Sequence, residues 1–209
     1  FTNTTGHAHM SKNSEWGAVA YLSQSKYGKY GNPNYTGTNK EIYINDSFLY
    51  TGRSSGLTFS NGGNSNGTYL YHDSKNLSDG SGAVGLGAST TGNITGIYDM
   101  NGGSPEFVMG NYNNVLGASG FSSLPETKYY DLYTTADVTT ACDGGICYGH
   151  ALTETKNWYG DRVTVASSNA SWYFRGGSRD NAAGEGGIFY SSPYNGSHGS
   201  IATRLTFVP

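Results

Sequence analysis

The stretch WYFRGGSRDNAAGEGGIFYSSPYNGSHGSIATRLTFVP, residues 172–209, decides how the chain is read. It opens apolar and aromatic at Trp172, Tyr173 and Phe174 and turns through Arg175-Gly176-Gly177-Ser178. It closes on Arg204, Leu205, Phe207 and Val208. Between these strand-like ends the residues are short, polar or aromatic and spaced by glycine, with Ile188-Phe189 as the strongly apolar pair. Such a segment cannot form a core by itself. It is held at both ends and free to vary in the middle, and loops held on a rigid scaffold are where binding function concentrates.

No Pro-rich or charged linker divides the 209 residues, so one domain over residues 1–209 is expected. Gly is 32 and Tyr 18 of the residues, and only 13% are charged, against about a quarter in average soluble domains. That composition suggests a loop-rich, extracellular-type protein. The 14% aromatic content supplies enough apolar surface to bury, which argues against disorder. A net charge of −3 and a pI near 5.9 speak against a nucleic-acid partner, which would need a basic stripe. No run reaches the roughly 18 apolar residues of a membrane span. Phe1-Thr2-Asn3 is not signal-like, so the chain is expected to be mature or a piece of a longer one.

The two cysteines lie in Cys142-Asp143-Gly144-Gly145-Ile146-Cys147. Two thiols alone cannot build a structural zinc site. The Gly-Gly pair lets the chain turn back, so a short loop disulfide is favoured, which suits an oxidising compartment. A redox or metal-binding thiol pair is the alternative.

Residues 1–10 read as a polar loop in which His7 and His9 lack a third metal ligand. Residues 11–22 are the best helix candidate: Asn13 or Ser14 can cap it, Glu15 suits its positive end, and Trp16, Val19 and Ala20 share a face. Ile42, Ile44, Phe48 and Leu49 mark short strands at most. Residues 61–67 and 76–95 are long Gly/Asn loops. Residues 128–134 alternate as a strand. Residues 151–159 suggest a short helix or turn with Trp158 as a core anchor. There is no Gly-x-Ser-x-Gly elbow and no phosphate loop. Asp99 and Glu106 are most simply a turn residue and a buried, hydrogen-bonded carboxylate. Structural calcium stays open, because Asp, Asn and backbone oxygens abound without an EF-hand pattern; no other cofactor is expected.

Residues 96–108, from Gly96-Ile97-Tyr98-Asp99-Met100 to Ser104-Pro105-Glu106-Phe107-Val108, resemble the "G-L-Y-D-M-x-G-N-V-W-E-W" signature of formylglycine-generating-enzyme-like domains. The helix candidate resembles their "W-x-x-A-x-x-Y" helix. Arg175-Gly176-Gly177-Ser178 matches their "R-G-G-S", and Arg204 sits where their closing arginine falls. The resemblance implies an α+β, C-type-lectin-like fold with two helices, small twisted antiparallel sheets and long irregular loops. Catalytic members carry a copper-binding cysteine pair after "R-G-G-S". Here no Cys follows Ser178, so no catalytic residue is carried over. An oxidase of that type using Cys142 and Cys147 is kept as an alternative. Phe107 stands in place of the second Trp of the signature, and Thr203 in place of the Phe before the closing Arg.

The tail also resembles the variable region of proteins diversified by retroelements, which begins near "R-G-G-S", keeps a "G-I-F" core turn and ends near "F-R". That resemblance makes residues 175–208 the ligand-binding region. It implies Arg179, Asp180, Asn181, Glu185, Tyr190, Ser191, Ser192, Tyr194, Ser197 and His198 as binding residues. Tyr supplies rigid amphipathic area, and Ser and Asn adaptable hydrogen bonds. Arg175 and Arg204 are expected in networks beneath the face, with Glu106 a candidate partner. Trp16, Tyr98, Phe107, Trp158, Trp172, Phe174 and Phe189 are the expected core, and Gly176-Gly177 an expected close approach or positive φ. The function implied is a non-enzymatic receptor or adhesin domain for a protein or glycan ligand. It would be extracellular, on a bacterial surface or phage particle, alone or within a larger surface assembly. A filament or tail subunit is the structural alternative.

Overall fold

The computed structural model describes residues 6–33, 40–45, 84–135, 150–179, 187–194, 196 and 198–208. These form an α+β arrangement: β1 (His7–Met10), α1 (Asn13–Leu22), β2 (Glu106–Tyr112), β3 (Asp131–Tyr133), β4 (Trp172–Gly176), β5 (Gly187–Tyr194), β6 (Ala202–Thr203) and β7 (Leu205–Val208). Single 3-10 turns sit at Val84–Ala88, Thr127–Tyr129 and Trp158–Gly160. Among the described residues there is one α-helix where two were expected.

The ends of the described chain meet. β1 pairs antiparallel with β7, His7 opposite Val208 and Met10 opposite Leu205, so residues 7–10 are a strand and not the expected loop. The larger sheet runs β3-β2-β4-β5, with β6 beside β2. It is mixed, not purely antiparallel: β2–β4 and β4–β5 are antiparallel, whereas β2–β3 and β2–β6 are parallel. One edge of β2 is shared along its length. β6 covers Glu106 and Phe107, the Met109 amide donates to the Ser11 carbonyl at 2.8 Å, and β3 covers residues 110–112. β2 is thus central, and its near-continuous burial from Val108 to Asn111 follows from having both faces covered.

The helix starts one or two residues earlier than the expected caps, with Lys12 at its N-cap. Asn13 and Ser14 lie inside it. The Lys12 amide donates to Glu15 Oε2 at 2.9 Å, and the Ser14 amide to Asp131 Oδ2 at 2.6 Å. Two carboxylates therefore satisfy two of the four N–H groups at its positive end. Asn13 is fully buried and bridges three parts of the chain, donating to Tyr133 Oη and the Ala151 carbonyl while Arg175 Nη1 donates to its Oδ1. Gly17 has no room for a side chain, because a Cβ there would lie 2.4 Å from the Ala151 methyl.

Side-chain alternation divides the sheet into two faces. Val108, Tyr173, Ile188 and Phe189 join Trp16, Ala20, Ile42, Met100 and Leu152 in the main core. On the other face Met109, Tyr130 and Trp172 form a second cluster closed by Met10 and Leu124. Ile42 and Ile44 are fully buried without belonging to a strand. Their segment is tied by side chains and irregular backbone bonds: Asn101 Nδ2 donates to the Ile42 carbonyl at 2.8 Å, and the Tyr43 amide to Gly87 at 2.8 Å. The ammonium of buried Lys29 donates to Gly87 at 2.9 Å and sits 3.8 Å over the Tyr43 ring. Residues 46–57, which held the expected Phe48 and Leu49, and residues 61–67 and 76–83 lie outside the described residues. No described helix is long and apolar enough to cross a membrane.

Two core expectations change. Trp158 is 38% exposed: one side of its ring meets buried Phe189 edge-on at 5.3 Å, and the residues on either side of it, Asn157 (φ 67°) and Tyr159 (φ 54°), are left-handed. That backbone geometry prevents residues 151–159 from forming an α-helix. Phe107 and Phe174 are only half-buried and lie on the outer face of the sheet, not in the main core.

Candidate binding face

The site begins at the glycine pair that ends β4. Gly176 (φ +84°) and Gly177 (φ +58°) are left-handed, a conformation open to residues without a Cβ. A Cβ on Gly176 would sit 2.8 Å from the Met100 carbonyl and 3.1 Å from the Trp16 ring. Both expectations for this pair, close approach and positive φ, are met. The register between β4 and β5 shifts here, with Arg175 opposite Ser191 and Gly176 opposite Gly187.

Beyond the shift, from Ser191 onward, β5 alternates. Tyr190, Ser192 and Tyr194 share the outer face with Phe107 and Phe174. The Phe174 ring lies 5.9 Å from Tyr190 and 6.3 Å from Tyr194. Phe107 lies 6.2 Å from Tyr194, and His198 meets Tyr194 edge-on at 5.8 Å. The result is an aromatic face with a hydroxyl and an imidazole at one end. Tyr190 is buried, while Ser192 and Tyr194 are half-exposed and His198 exposed.

The structure brings together four of the ten candidate residues: Tyr190, Ser192, Tyr194 and His198. Ser191 leaves the set. It is fully buried on the core side, and its backbone accepts from the Thr164 amide and donates to Arg162. Residues 162–164 thereby cover the middle of the β5 edge. Arg179 lies beyond the glycine pair, half-buried, its amide donating to the Gly103 carbonyl at 3.1 Å. Asp180, Asn181, Glu185 and Ser197 lie outside the described residues, as do Cys142 and Cys147.

The support beneath this face is ionic. Arg204 grips Glu106 with two bonds, Nε to Oε2 at 3.0 Å and Nη2 to Oε1 at 2.8 Å, and also donates to the Tyr98 carbonyl at 3.0 Å. Burial pushes the Glu106 carboxyl up, and the Arg204 guanidinium opposes that. Tyr98 thus contributes through its backbone, not as a core ring; it is half-buried and its hydroxyl donates to the Asn93 carbonyl. Asp99 sits in a left-handed turn (φ 63°) and accepts from Asn45 Nδ2 at 2.6 Å. Arg175 is fully buried, and burial lowers its guanidinium to about 10. It donates through Nη1 to Asn13 and to the Ala151 carbonyl. Trp16, Trp172 and Phe189 are buried as expected. Among the described residues no three His, Cys, Asp or Glu side chains gather into a metal-binding group. His9 instead pairs through Nε2 with Glu15 at 2.9 Å.

Asp161 is a residue that sequence reasoning missed. Its carboxyl is wedged under the start of β5, where a Cβ on Gly187 (φ +102°) would fall 2.1 Å from Oδ1. Oδ2 accepts the Phe189 amide at 2.9 Å. Burial pushes this carboxyl up to about 8, with the Phe189 bond and Arg175 opposing and the nearby Glu41 adding to the rise. The folded chain therefore keeps a proton that the unfolded chain loses near the ordinary Asp value. The stability that Asp161 contributes is then expected to fall as pH rises from about 4 toward about 8, by at most about 1.4 kcal/mol per pH unit, and Glu41, raised by burial to about 7, adds a fall of the same sign. Urea midpoints measured at about pH 5.5 and about pH 7 should show the wild type losing stability and Asp161→Asn losing less. Equal slopes in the two proteins would refute a protonated Asp161.

No family model matches this chain, and no curated protein matches it either.

Proposed function

We propose that the chain is a non-enzymatic ligand-binding domain of C-type-lectin-like fold whose C-terminal segment presents the binding face. Its setting is the surface of a bacterium or a phage particle, and its ligand a protein or glycan. One observation carries the proposal: strand alternation sets Ser192 and Tyr194 on the outer face with His198, over aromatic rings from β2 and β4 and the buried ring of Tyr190. Tyrosine rings offer large contact area with little entropy to lose, and hydroxyl groups adapt to different partners. The support is separate from the face. Gly187, Ile188, Phe189 and Ser191 are buried, and Arg204 is held by Glu106. Ser192, Tyr194 and His198, which are at least half-exposed, can therefore change without disturbing the scaffold, whereas Tyr190 belongs to the support.

The test is sequencing of this gene across the population that carries it. Substitutions are expected at the exposed or half-exposed Arg179, Ser192, Tyr194 and His198, while the buried Tyr190 stays aromatic. Gly187, Ile188, Phe189, Ser191 and Arg204 should stay fixed. Variation spread evenly over buried and exposed positions, or a tail as constant as α1, would defeat the proposal.

A further inference from the structure

A second concavity lies on the opposite side of the sheet from the aromatic face. Phe174 points to the outer face, and its neighbour Arg175 points inward to the floor of a pocket of about 470 Å³. One wall is α1, through Ser14, Gly17, Ala18 and Tyr21; the other is the turn carrying Ala151, Glu154, Thr155 and Trp158. The volume falls in the range of small-molecule sites.

Three observations mark this pocket as built. First, the turn that forms it is strained. Ala151 (φ 55°), Asn157 (φ 67°) and Tyr159 (φ 54°) are three of the six left-handed non-glycine residues described. Backbone of this kind persists only where surrounding contacts enforce it, and it clusters at ligand clamps. Here the contacts are visible: Ala151 gives its carbonyl to Asn13 and Arg175 and its amide to Glu154 Oε1 at 2.7 Å. Second, an aromatic pair stands at the mouth. Tyr21 and Trp158 stack with ring centres 5.8 Å apart and remain 55% and 38% exposed. Third, the lining carries two opposite charges, each with an unused atom. Arg175 Nε and Glu154 Oε2 are buried and have no hydrogen-bond partner among the described residues.

These features select a ligand class. An anion would meet Glu154 and a cation would meet Arg175, so a neutral molecule fits best. It must donate to a carboxylate and accept from a guanidinium, which adjacent hydroxyl groups do. It must also carry an apolar face for the exposed rings. We propose that this pocket binds a neutral sugar ring, seated against Tyr21 and Trp158 with its hydroxyl groups directed to Glu154 and Arg175. This site is independent of the β5 face and stands or falls separately from it.

The test uses the intact chain and four probes: glucose, galactose, mannose and N-acetylglucosamine. Trp16 and Trp172 are buried, so a saturable change in tryptophan fluorescence reports Trp158. At least one sugar is expected to bind with a Kd on the order of 1–10 mM, as weak single-ring ligands do. Trp158→Ala should abolish the response, and Glu154→Gln, which keeps the Oε1 acceptor for Ala151, should weaken binding about tenfold. If either variant fails to fold, amide shift mapping on the wild type replaces it. Shifts centred on Gly17, Tyr21 and Thr155 support the site, and shifts elsewhere overturn it. No saturable response to any of the four sugars up to about 100 mM overturns it too. So does a stronger response to acetate, phosphate or glycine, which would make the pocket a site for charged ligands.

Discussion

Trp16→Ala is expected to lower folding stability by about 3–5 kcal/mol, a large share of the roughly 5–15 kcal/mol available to a domain. The indole is 2% exposed. Its Nε1 donates to the Ile188 carbonyl at 3.1 Å, its ring edge abuts Gly176, and the Arg204 guanidinium carbon lies 5.8 Å from its ring centre. One side chain thus touches the end of β4, the start of β5 and the closing arginine. Truncation leaves a cavity at the point where these meet and an orphaned buried carbonyl. Trp16→Phe keeps most of the volume but not the donor, so it should cost about 1–3 kcal/mol. Equilibrium urea unfolding of both variants checks the pair. A loss under about 1 kcal/mol for Trp16→Ala would mean that the core does not close around this ring.

Trp16 was legible in the sequence because helix periodicity places it with Val19 and Ala20 on one face, and that face is local information. The same holds for Gly176-Gly177, whose lack of Cβ is a property of the residues themselves, and for the buried carboxylate at Glu106. What escaped depends on contacts between distant residues. The parallel pairing of Ala202–Thr203 with Glu106 and Phe107 spans almost half the chain and has no signature in two residues. Ser191 was grouped with exposed positions because alternation can be assigned only once Arg175 is known to face it. Trp158 was expected in the core because apolar character alone does not reveal that only one side of its ring is covered, by Phe189. The pocket beside it was invisible for the same reason. Its walls come from residues 14–21, 151–158 and 175, each unremarkable alone. The four residues on the β5 face were named from resemblance, and the register then explains why Tyr190, Ser192 and Tyr194 stand together.

Replacing Arg204 by methionine should cost about 3 kcal/mol at neutral pH, the low end for breaking a buried ion pair, because the arginine is partly exposed. Glu106 is 8% exposed. It receives both bonds of the guanidinium fork, and a fork of that geometry is stronger than a single charged hydrogen bond. Methionine keeps the stem packing and removes the charge, so the loss reports the stranded carboxylate. Two further outcomes separate this cause from lost packing. The double variant Glu106→Gln with Arg204→Met should recover most of the loss, since neither partner is then a buried lone charge. The single variant should also be less damaged in acid. Burial already raises the Glu106 carboxyl, and without Arg204 opposing, it rises further above its unfolded value. The unfolded state is common to both proteins, so the deficit grows as pH rises through the wild type's own raised Glu106 value and is smallest in acid, where both folded forms are protonated. Urea midpoints at about pH 4 and about pH 7 for the wild type and both variants measure this directly. If Arg204→Met is equally unstable at both pH values and the double variant recovers nothing, the arginine acts by packing alone. If the deficit is pH-dependent and recoverable, the ion pair is what fastens the end of the tail to β2. The Tyr98 carbonyl held by the same guanidinium then extends that fastening to the turn before β2, which leaves the β5 face as the part of the tail that can change without loosening its anchor.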